Sequence, residues 1–322
     1  MVNMLYPNYR LEIGSKEFTI NSQSITSITV KLGLGPKIDS CRVLLVGDDA
    51  ASSIGRGDNV NVYLGYDDDL VKVFTGIVDI VDVGYSQVKV DSLSPSVNLL
   101  KLRLNRVYNN QTAGQIVSDL LSTAGVSRVE VMDGLSFPIY VIDDRLNAYE
   151  HIEKLARRCG FVFYTSSDGG LIFKKYVEDG KHTLKYGEDI LAINMVEMVE
   201  AYGCIKVFGE SPSSMMGSET YHWLTKREIV GESGSGHTLI IQDFAIKDKG
   251  TAENVAQNVL DNVKKSFSIM LRIVGNANIK VNDTVEVKDM PEEKLNGLFQ
   301  VVDVEHYLDK MNGFTSIITC RR

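Results

Sequence analysis

Apolar and polar residues alternate over most of this chain, and alternation with a period of two predicts β-strands. From residue 9 to residue 93 the alternating runs are short, and Gly, Asp and Ser turns separate them. This spacing is typical of a small antiparallel β-barrel. Alternation returns near Ile190 and again from Ile269 towards the C-terminus. We therefore predict a mainly β protein of the α+β class.

Between these β regions the apolar spacing becomes helical. Two helices are predicted, one capped by Thr112 and closed by Gly125, the other closed by Gly160, because Thr favours helix N-caps and Gly favours C-caps. A strand, a turn and a second strand follow at once, which predicts an α/β insert. Further along, Thr251 is the predicted N-cap of a third helix. The stretch 209–236 lacks periodicity and is predicted to be a long loop or irregular hairpin.

Two distant segments, 57–83 and 282–304, share one pattern of apolar, acidic and glycine positions. The alignment pairs Asp58 with Asp283, Val60 with Val285, Val62 with Val287 and Gly76 with Gly297. We interpret them as copies of one β unit, which predicts two similar small antiparallel β-barrels flanking the α/β insert. The alternative is that two unrelated β-hairpins look alike over such a length.

The domain limits follow from where these patterns change. We predict a first β-barrel domain over residues 1–104, the α/β insert over 105–185, and a second β-barrel domain with one helix over 186–322. A chain of 322 residues is long enough for two or three domains.

Composition narrows the function classes. With 34 basic and 42 acidic residues the net charge is −8, which argues against a nucleic-acid-binding surface. The four cysteines show no CxxC spacing, so neither a zinc site nor a disulfide framework is indicated, and synthesis in the reducing cytoplasm is expected. No signal peptide and no run of 18 apolar residues is found, so no stable membrane association is expected.

The sequence contains no strong motif for a catalytic, cofactor or metal site. The acidic run 67–69 lacks the ligand spacing of a calcium loop, and the five histidines never fall at HxH or HxxxH spacing. The glycine-rich stretch 231–237 lacks the Lys-Ser/Thr of a phosphate loop. No GxSxG motif occurs, and Cys159 is interpreted as a buried small hydrophobe. The sequence therefore predicts no catalytic residue, no cofactor and no metal, and a protein that is not an enzyme.

Several motifs resemble the phage late-control protein D family, the baseplate hubs of contractile tails. In that family a helix ends in Gly-Phe and enters a hairpin, and the C-terminal barrel has a Gly, a Gly-Asp-like turn, a hairpin and a Val-x-x-Val-x-His pattern. The matching residues here are Gly160, Phe161, Gly275, Asn282, Asp283, Gly297 and His306. Asn282 replaces the usual Gly and still tolerates a left-handed turn. The same fold forms the N-terminal part of the VgrG spike proteins of type VI secretion.

The resemblance implies a structural baseplate hub. In such a hub a homotrimer forms a pseudo-sixfold ring that adapts the sixfold tail tube to the threefold spike. Because the sequence ends at Arg322, before any needle domain, a separate spike protein is expected as a partner, beside the tail tube protein and other baseplate proteins. Nucleic acid or cargo would bind only in transit.

The expected location is the tail baseplate of a virion or injection particle that assembles in the host cytoplasm. Trp223, the single tryptophan, is the candidate partner contact. Two alternatives stay open at this point, a tail-associated peptidoglycan hydrolase and a simple carbohydrate- or protein-binding β module.

Overall fold

The computed structural model describes residues 6–22, 24–47, 51, 53–197, 201–210 and 229–322. Strands dominate these residues, which confirms the predicted mainly β class. The strands are β1 (Pro7–Ile13), β2 (Lys16–Thr19), β3 (Ile25–Gly33), β4 (Ser40–Val46), β5 (Asn59–Tyr66), β6 (Asp69–Val83), β7 (Gln87–Leu93), β8 (Arg106–Thr112), β9 (Arg128–Val131), β10 (Ser136–Ile142), β11 (Phe161–Thr165), β12 (Leu171–Lys175), β13 (His182–Lys185), β14 (Ile190–Glu197), β15 (Cys204–Phe208), β16 (Val230–Gly234), β17 (Thr238–Gln242), β18 (Phe267–Val274), β19 (Thr284–Lys288), β20 (Gly297–Asp309) and β21 (Gly313–Arg321). The helices are α1 (Val97–Lys101), α2 (Ala113–Ala124), α3 (Ala148–Cys159) and α4 (Lys249–Val263).

One large sheet contains thirteen of the described strands. Its order is β14-β18-β21-β20-β3-β4-β7-β6-β5-β1-β2, and β13 and β19 join it through β20. We call β1–β7 the first β unit and β13, β14 and β18–β21 the second β unit. Each unit has its own apolar core, with Leu11, Val43 and Val60 in the first and Leu271, Val285 and Phe299 in the second. The sheet is therefore continuous while the cores are separate.

The insert between the units packs helices on two small sheets. β8 pairs with β10, and β9 joins the β11–β12 hairpin. As predicted, Thr112 caps α2 and accepts a hydrogen bond from Gln115 N at 3.2 Å. Gly125 and Gly160 end α2 and α3 with φ values of 68° and 64°, a left-handed geometry that glycine adopts without strain. Both predicted helix ends are confirmed.

Residues 201–263 contain a further small layer that periodicity did not reveal. β15 lies between β16 and β17, and α4 covers this sheet with an apolar face that includes Val255 and Ala256. Part of the stretch predicted as a long loop or irregular hairpin is strand β16, which pairs antiparallel with β15, while residues 211–228, including Trp223, lie outside the described residues.

The predicted cap of the third helix was wrong. Asp248 is the N-cap of α4, and its Oδ1 accepts a hydrogen bond from Thr251 N at 2.8 Å. Thr251 therefore lies in the first turn, where its N–H is the group that is capped. None of the described helices is both long and apolar enough to cross a membrane.

The domain limits stay a prediction. One observation bears on the boundary at residue 185: β13, at the end of the predicted insert, pairs in parallel with β19 of the second β unit.

Candidate functional site

The two segments aligned in the sequence fold into antiparallel hairpins, β5–β6 and β19–β20. An aspartate begins each hairpin with the same turn. Gly55 N donates to Asp58 Oδ2 at 2.8 Å, and Lys280 N donates to Asp283 Oδ2 at 2.8 Å. Such a side chain satisfies a backbone donor three residues earlier and fixes the direction in which the strand starts. The paired Asp58 and Asp283 thus have the same local role.

The residue before each aspartate has a left-handed backbone, with φ of 92° at Gly57 and 74° at Asn282. Gly57 N donates to Val78 O and Asn282 N donates to Val301 O, both at 2.9 Å. Val78 N and Val301 N in turn donate to the carbonyl oxygens of Asp58 and Asp283, again at 2.9 Å. These four bonds make Val78 and Val301 the corresponding positions of the two second strands.

This correspondence corrects one aligned pair. Gly76 pairs across its hairpin with Val60, whereas Gly297 pairs with Val287, the counterpart of Val62. The two glycines are therefore two residues out of register and are not equivalent. A two-residue shift keeps every side chain on the same face, so the alternating pattern alone could not reveal the error.

The physical reason for the shift is a Phe and a Gly that occur in opposite order. Phe74 precedes Gly76 by two residues, and Phe299 follows Gly297 by two residues. Both rings are buried. A Cβ on Gly76 would lie 2.5 Å from the Phe74 ring, so the ring occupies the space that the glycine leaves. Each hairpin therefore fills one core position with one ring, supplied from adjacent positions on the same face.

The four aligned valines lie in the cores. Val60 and Val62 are buried in the first core, and Val285 and Val287 are buried in the second. Strand alternation thus directs each pair to its own core, as the sequence pattern requires.

The neighbouring strands repeat the same irregularities. The β6–β7 register shifts between Val78 and Ile80, and the β20–β21 register shifts between Val301 and Asp303. The β3–β4 and β14–β18 pairs likewise shift near their starts, at 25–27 and 190–192. Bulges are specific features of a strand pair, so matching bulges strengthen the correspondence. One difference stands out, because β1 is antiparallel to β5 whereas β13 is parallel to β19.

The two β units meet where β20 pairs with β3, and we call this pairing the intrachain junction. Residues 303–309 of β20 lie antiparallel to residues 27–33 of β3, with His306 opposite Val30. Leu308 and Phe314 of the second unit pack into the first core, and Leu34 packs into the second core. The junction therefore exchanges apolar side chains between the cores.

Charged groups line the rim of the intrachain junction. Lys37 Nζ lies 2.6 Å from Asp303 Oδ1, and Lys31 Nζ lies 3.0 Å from Glu305 Oε1. Both lysine side chains are more than half exposed, so these pairs contribute little stability.

Two titratable groups are buried at the same junction. Asp39 Oδ1 accepts a hydrogen bond from Gly33 N at 2.9 Å, and burial, helped by the charge of Asp303, raises the pKa of Asp39 to about 8. His306 Nδ1 lies 2.8 Å from Ser316 Oγ, and burial lowers the pKa of His306 to about 4. Both groups are therefore held mainly in their neutral forms near pH 7.

The described residues contain no cluster of three or more His, Cys, Asp or Glu side chains that could hold a metal ion. Cys159 is buried, as predicted, and burial raises its pKa to about 11, which leaves it a thiol at neutral pH. The described contacts of the intrachain junction are strand pairing, apolar packing and ion pairs at the rim.

Solved structures with a similar fold include two bacterial tail proteins, one of them from a prophage. Over 98% of this chain and 98% of the other, the 43 kDa tail protein of prophage MuSo2 from Shewanella oneidensis superposes with a TM-score of 0.73 at 16% identity. A tail protein from Neisseria meningitidis gives 0.76 at 11% identity over 98% and 97% of the two chains.

A third similar structure is an E. coli component of the type VI secretion system, described as similar to the T4 tail proteins gp27 and gp5. It gives a TM-score of 0.62 at 10% identity over 96% of this chain and 76% of the other. No protein-family model matches the chain, and no curated protein matches its sequence. The chain thus has the fold of phage tail proteins and of a type VI secretion component, which confirms at the level of the fold the resemblance read from its motifs.

Proposed function

We propose that this protein is a structural baseplate hub of a contractile tail or injection system. The observation that carries the proposal is the pair of β units, which share a starting turn, two bulges and a strand order. We take them to be copies of one unit. Three chains would then place six similar units around one axis.

Such a ring has two symmetries at once. From the tail-tube side the six units present nearly equivalent surfaces, whereas any feature found in one unit alone repeats three times. The hairpin loops are such a feature: β5 and β6 are joined by the two-residue turn at 67–68, whereas the connection from β19 to β20 runs over 289–296 and contains the 3-10 turn Glu293–Leu295. A sixfold tube and a threefold spike could therefore dock on opposite faces.

The comparisons support a role in tail structure rather than in catalysis, because the similar structures are named as tail proteins and as a secretion-system component. In this proposal the partners are a separate spike protein, a tail tube protein and other baseplate proteins, with cargo only in transit. Trp223 stays a candidate partner contact, and the location is the tail baseplate.

Light scattering on the purified full chain tests the proposal. We expect a species of three times the 35.7 kDa chain mass, with its population rising with protein concentration. A monomer at every concentration that the protein tolerates, or a stable dimer, would contradict a trimeric hub.

A further inference from the structure

Two strand edges in this chain correspond to the two edges that meet at the intrachain junction, and no described strand covers either of them. Residues 80–83 of β6 pair with β7 on one side, and no described strand pairs with their other side. β14 is the end strand of the sheet order and pairs with β18, apart from an isolated bridge between Tyr186 and Ile190. β6 corresponds to β20, and β14 corresponds to β3.

The matched registers assign residue counterparts across the two units. Val83 lies five residues after Val78, as His306 lies five residues after Val301. On the other strand of the junction, the first paired residue after the bulge is Ser27 in β3 and Ala192 in β14, so these two residues correspond. Three residues further along each strand are Val30 and Met195. Val83 and Met195 are thus the counterparts of His306 and Val30, which face each other in the intrachain junction.

Most side chains at the open edges are apolar, and several of these are exposed, although Asp82 and Glu197 also lie there. His306 and Val30 are fully buried, whereas Val83 is 62% exposed and Met195 is partly exposed. Val196, next to Met195, is 51% exposed. Soluble proteins usually protect open strand edges with charges, prolines or bulges, because unpaired edges recruit other strands. Apolar residues at these positions are explained if another strand covers them.

The occupant that fits both edges is a second copy of this chain. Each copy carries one edge of the β20 type and one edge of the β3 type, so the edge of β6 in one copy matches the edge of β14 in the next. A heterologous contact of this kind repeats until it closes on itself.

We infer that β6 of one chain pairs antiparallel with β14 of the next. The intrachain register, carried over residue by residue, places Val83 opposite Met195, Asp82 opposite Val196 and Val81 opposite Glu197. Three such pairings alternate with the three intrachain junctions and close the ring. This inference rests on the proposed hub function and specifies how its chains are joined.

The two kinds of junction would differ in chemistry. In the intrachain junction Glu305 faces Lys31 and forms an ion pair. Their counterparts are Asp82 and Val196, so the interchain junction lacks that pair, and Asp82 instead lies 3.1 Å from Lys89 of its own chain. Association through β6 and β14 should therefore depend on backbone hydrogen bonds and apolar burial, with little dependence on salt.

A pair of cysteines tests the register. Directly opposed residues in an antiparallel pair have Cβ atoms about 4.5–5.5 Å apart, close enough for a disulfide after small adjustment. We expect the double variant Val83→Cys with Met195→Cys to give covalent dimers and trimers on mild oxidation. The native cysteines are all buried and should not compete. The matched control, Val83→Cys with Ala192→Cys, places the thiols three residues out of register and should give no more than either single variant.

The outcomes separate this inference from the hub proposal. If light scattering shows a trimer but the Val83–Met195 pair links no more than the control, the chains meet elsewhere and the strand pairing is wrong while the hub stands. A disulfide found only within single chains also overturns it. If the chain is a monomer at every concentration and no covalent trimer forms, both proposals fail.

Discussion

The two β units are most alike where their hairpins begin and least alike where their second strands end. Both begin with an aspartate turn and a left-handed residue. At the other end, β20 continues to Asp309 and is covered by β3, whereas β6 stops at Val83 with one side open. The shared part fixes the fold of each unit. In the proposed ring, the part that differs would decide whether the neighbour is in the same chain or in another.

A second difference lies between the corresponding strand pairs β3–β4 and β14–β18. Six residues, 34–39, connect β3 to β4. The connection from β14 to β18 spans 198–266 and contains β15–β17 and α4. Loops between strands tolerate insertions because they lie outside the paired core. The larger connection gives the second unit a surface that the first lacks, which is where threefold rather than sixfold contacts are expected.

The largest expected difference is between a residue of the intrachain junction and its counterpart near the open edge of β6. Leu308 is buried in the first core, and its counterpart by count, Tyr85, is fully exposed at the β6–β7 turn. We expect Leu308→Ala to lower the free energy of unfolding by about 2–5 kcal/mol. Tyr85→Ala should change it by less than about 0.5 kcal/mol in the dilute monomer and should weaken association. Urea unfolding and light scattering measure both effects, and equal costs of unfolding would contradict the comparison.

The stability of the intrachain junction should also depend on pH. The folded-state pKa of Asp39, about 8, lies above the ordinary value of 3.8, so its contribution to stability is complete below about pH 4 and is lost as pH rises towards 8. Asp39→Asn should remove this loss. The contribution of His306 to stability changes with pH in the opposite direction. Folding lowers the pKa of His306 from 6.5 to about 4, so this contribution is lost as pH falls through that range.

Unfolding curves measured between pH 4 and 8 test these signs. In the Asp39→Asn variant, the remaining pH dependence should be a loss of stability on acidification, and His306→Val should reduce it. A variant whose stability still declines from pH 4 to 8 would show that Asp39 is not the responsible group.

Loss of the aspartate side chain should lower the free energy of unfolding by a similar amount at each of the two matching turns. Removing the side-chain acceptor in Asp58→Ala or Asp283→Ala leaves a backbone donor without its partner, and we expect each to lower the free energy of unfolding by about 1–3 kcal/mol. Asp58→Asn and Asp283→Asn keep the acceptor and serve as controls. The equivalence of the two turns is refuted if one alanine variant is costly and the other is silent.

The sequence predicted the parts of the fold that depend on local pattern. Alternation gave the strands, and Gly125 and Gly160 gave the helix ends, because only the local backbone decides those features. The alignment found Asp58 and Asp283, yet it misplaced Gly76 against Gly297, since a shift of two residues preserves the pattern of faces. The open edges of β6 and β14 could not be predicted, because which strand lies beside another depends on contacts between distant segments.

The smallest expected effect concerns the ion pairs at the rim of the intrachain junction. Lys31→Val introduces the residue type found at its counterpart, Val196, and removes the ion pair with Glu305. Because the lysine side chain is 62% exposed, we expect a change of no more than about 1 kcal/mol that shrinks at high salt. Glu305→Gln, which removes the same ion pair from the other strand, should give a change of the same size. A loss of several kcal/mol would show that the junction is held by charge rather than by packing.

In the proposed hub, each chain contributes two similar units to one closed ring. Electron microscopy of the purified full chain tests it most directly, because end-on views count the units. We expect a ring with a central hole and six lobes of two alternating kinds, built from three chains. A ring with another number of lobes, or particles that contain one chain and show no ring at any concentration, would contradict it.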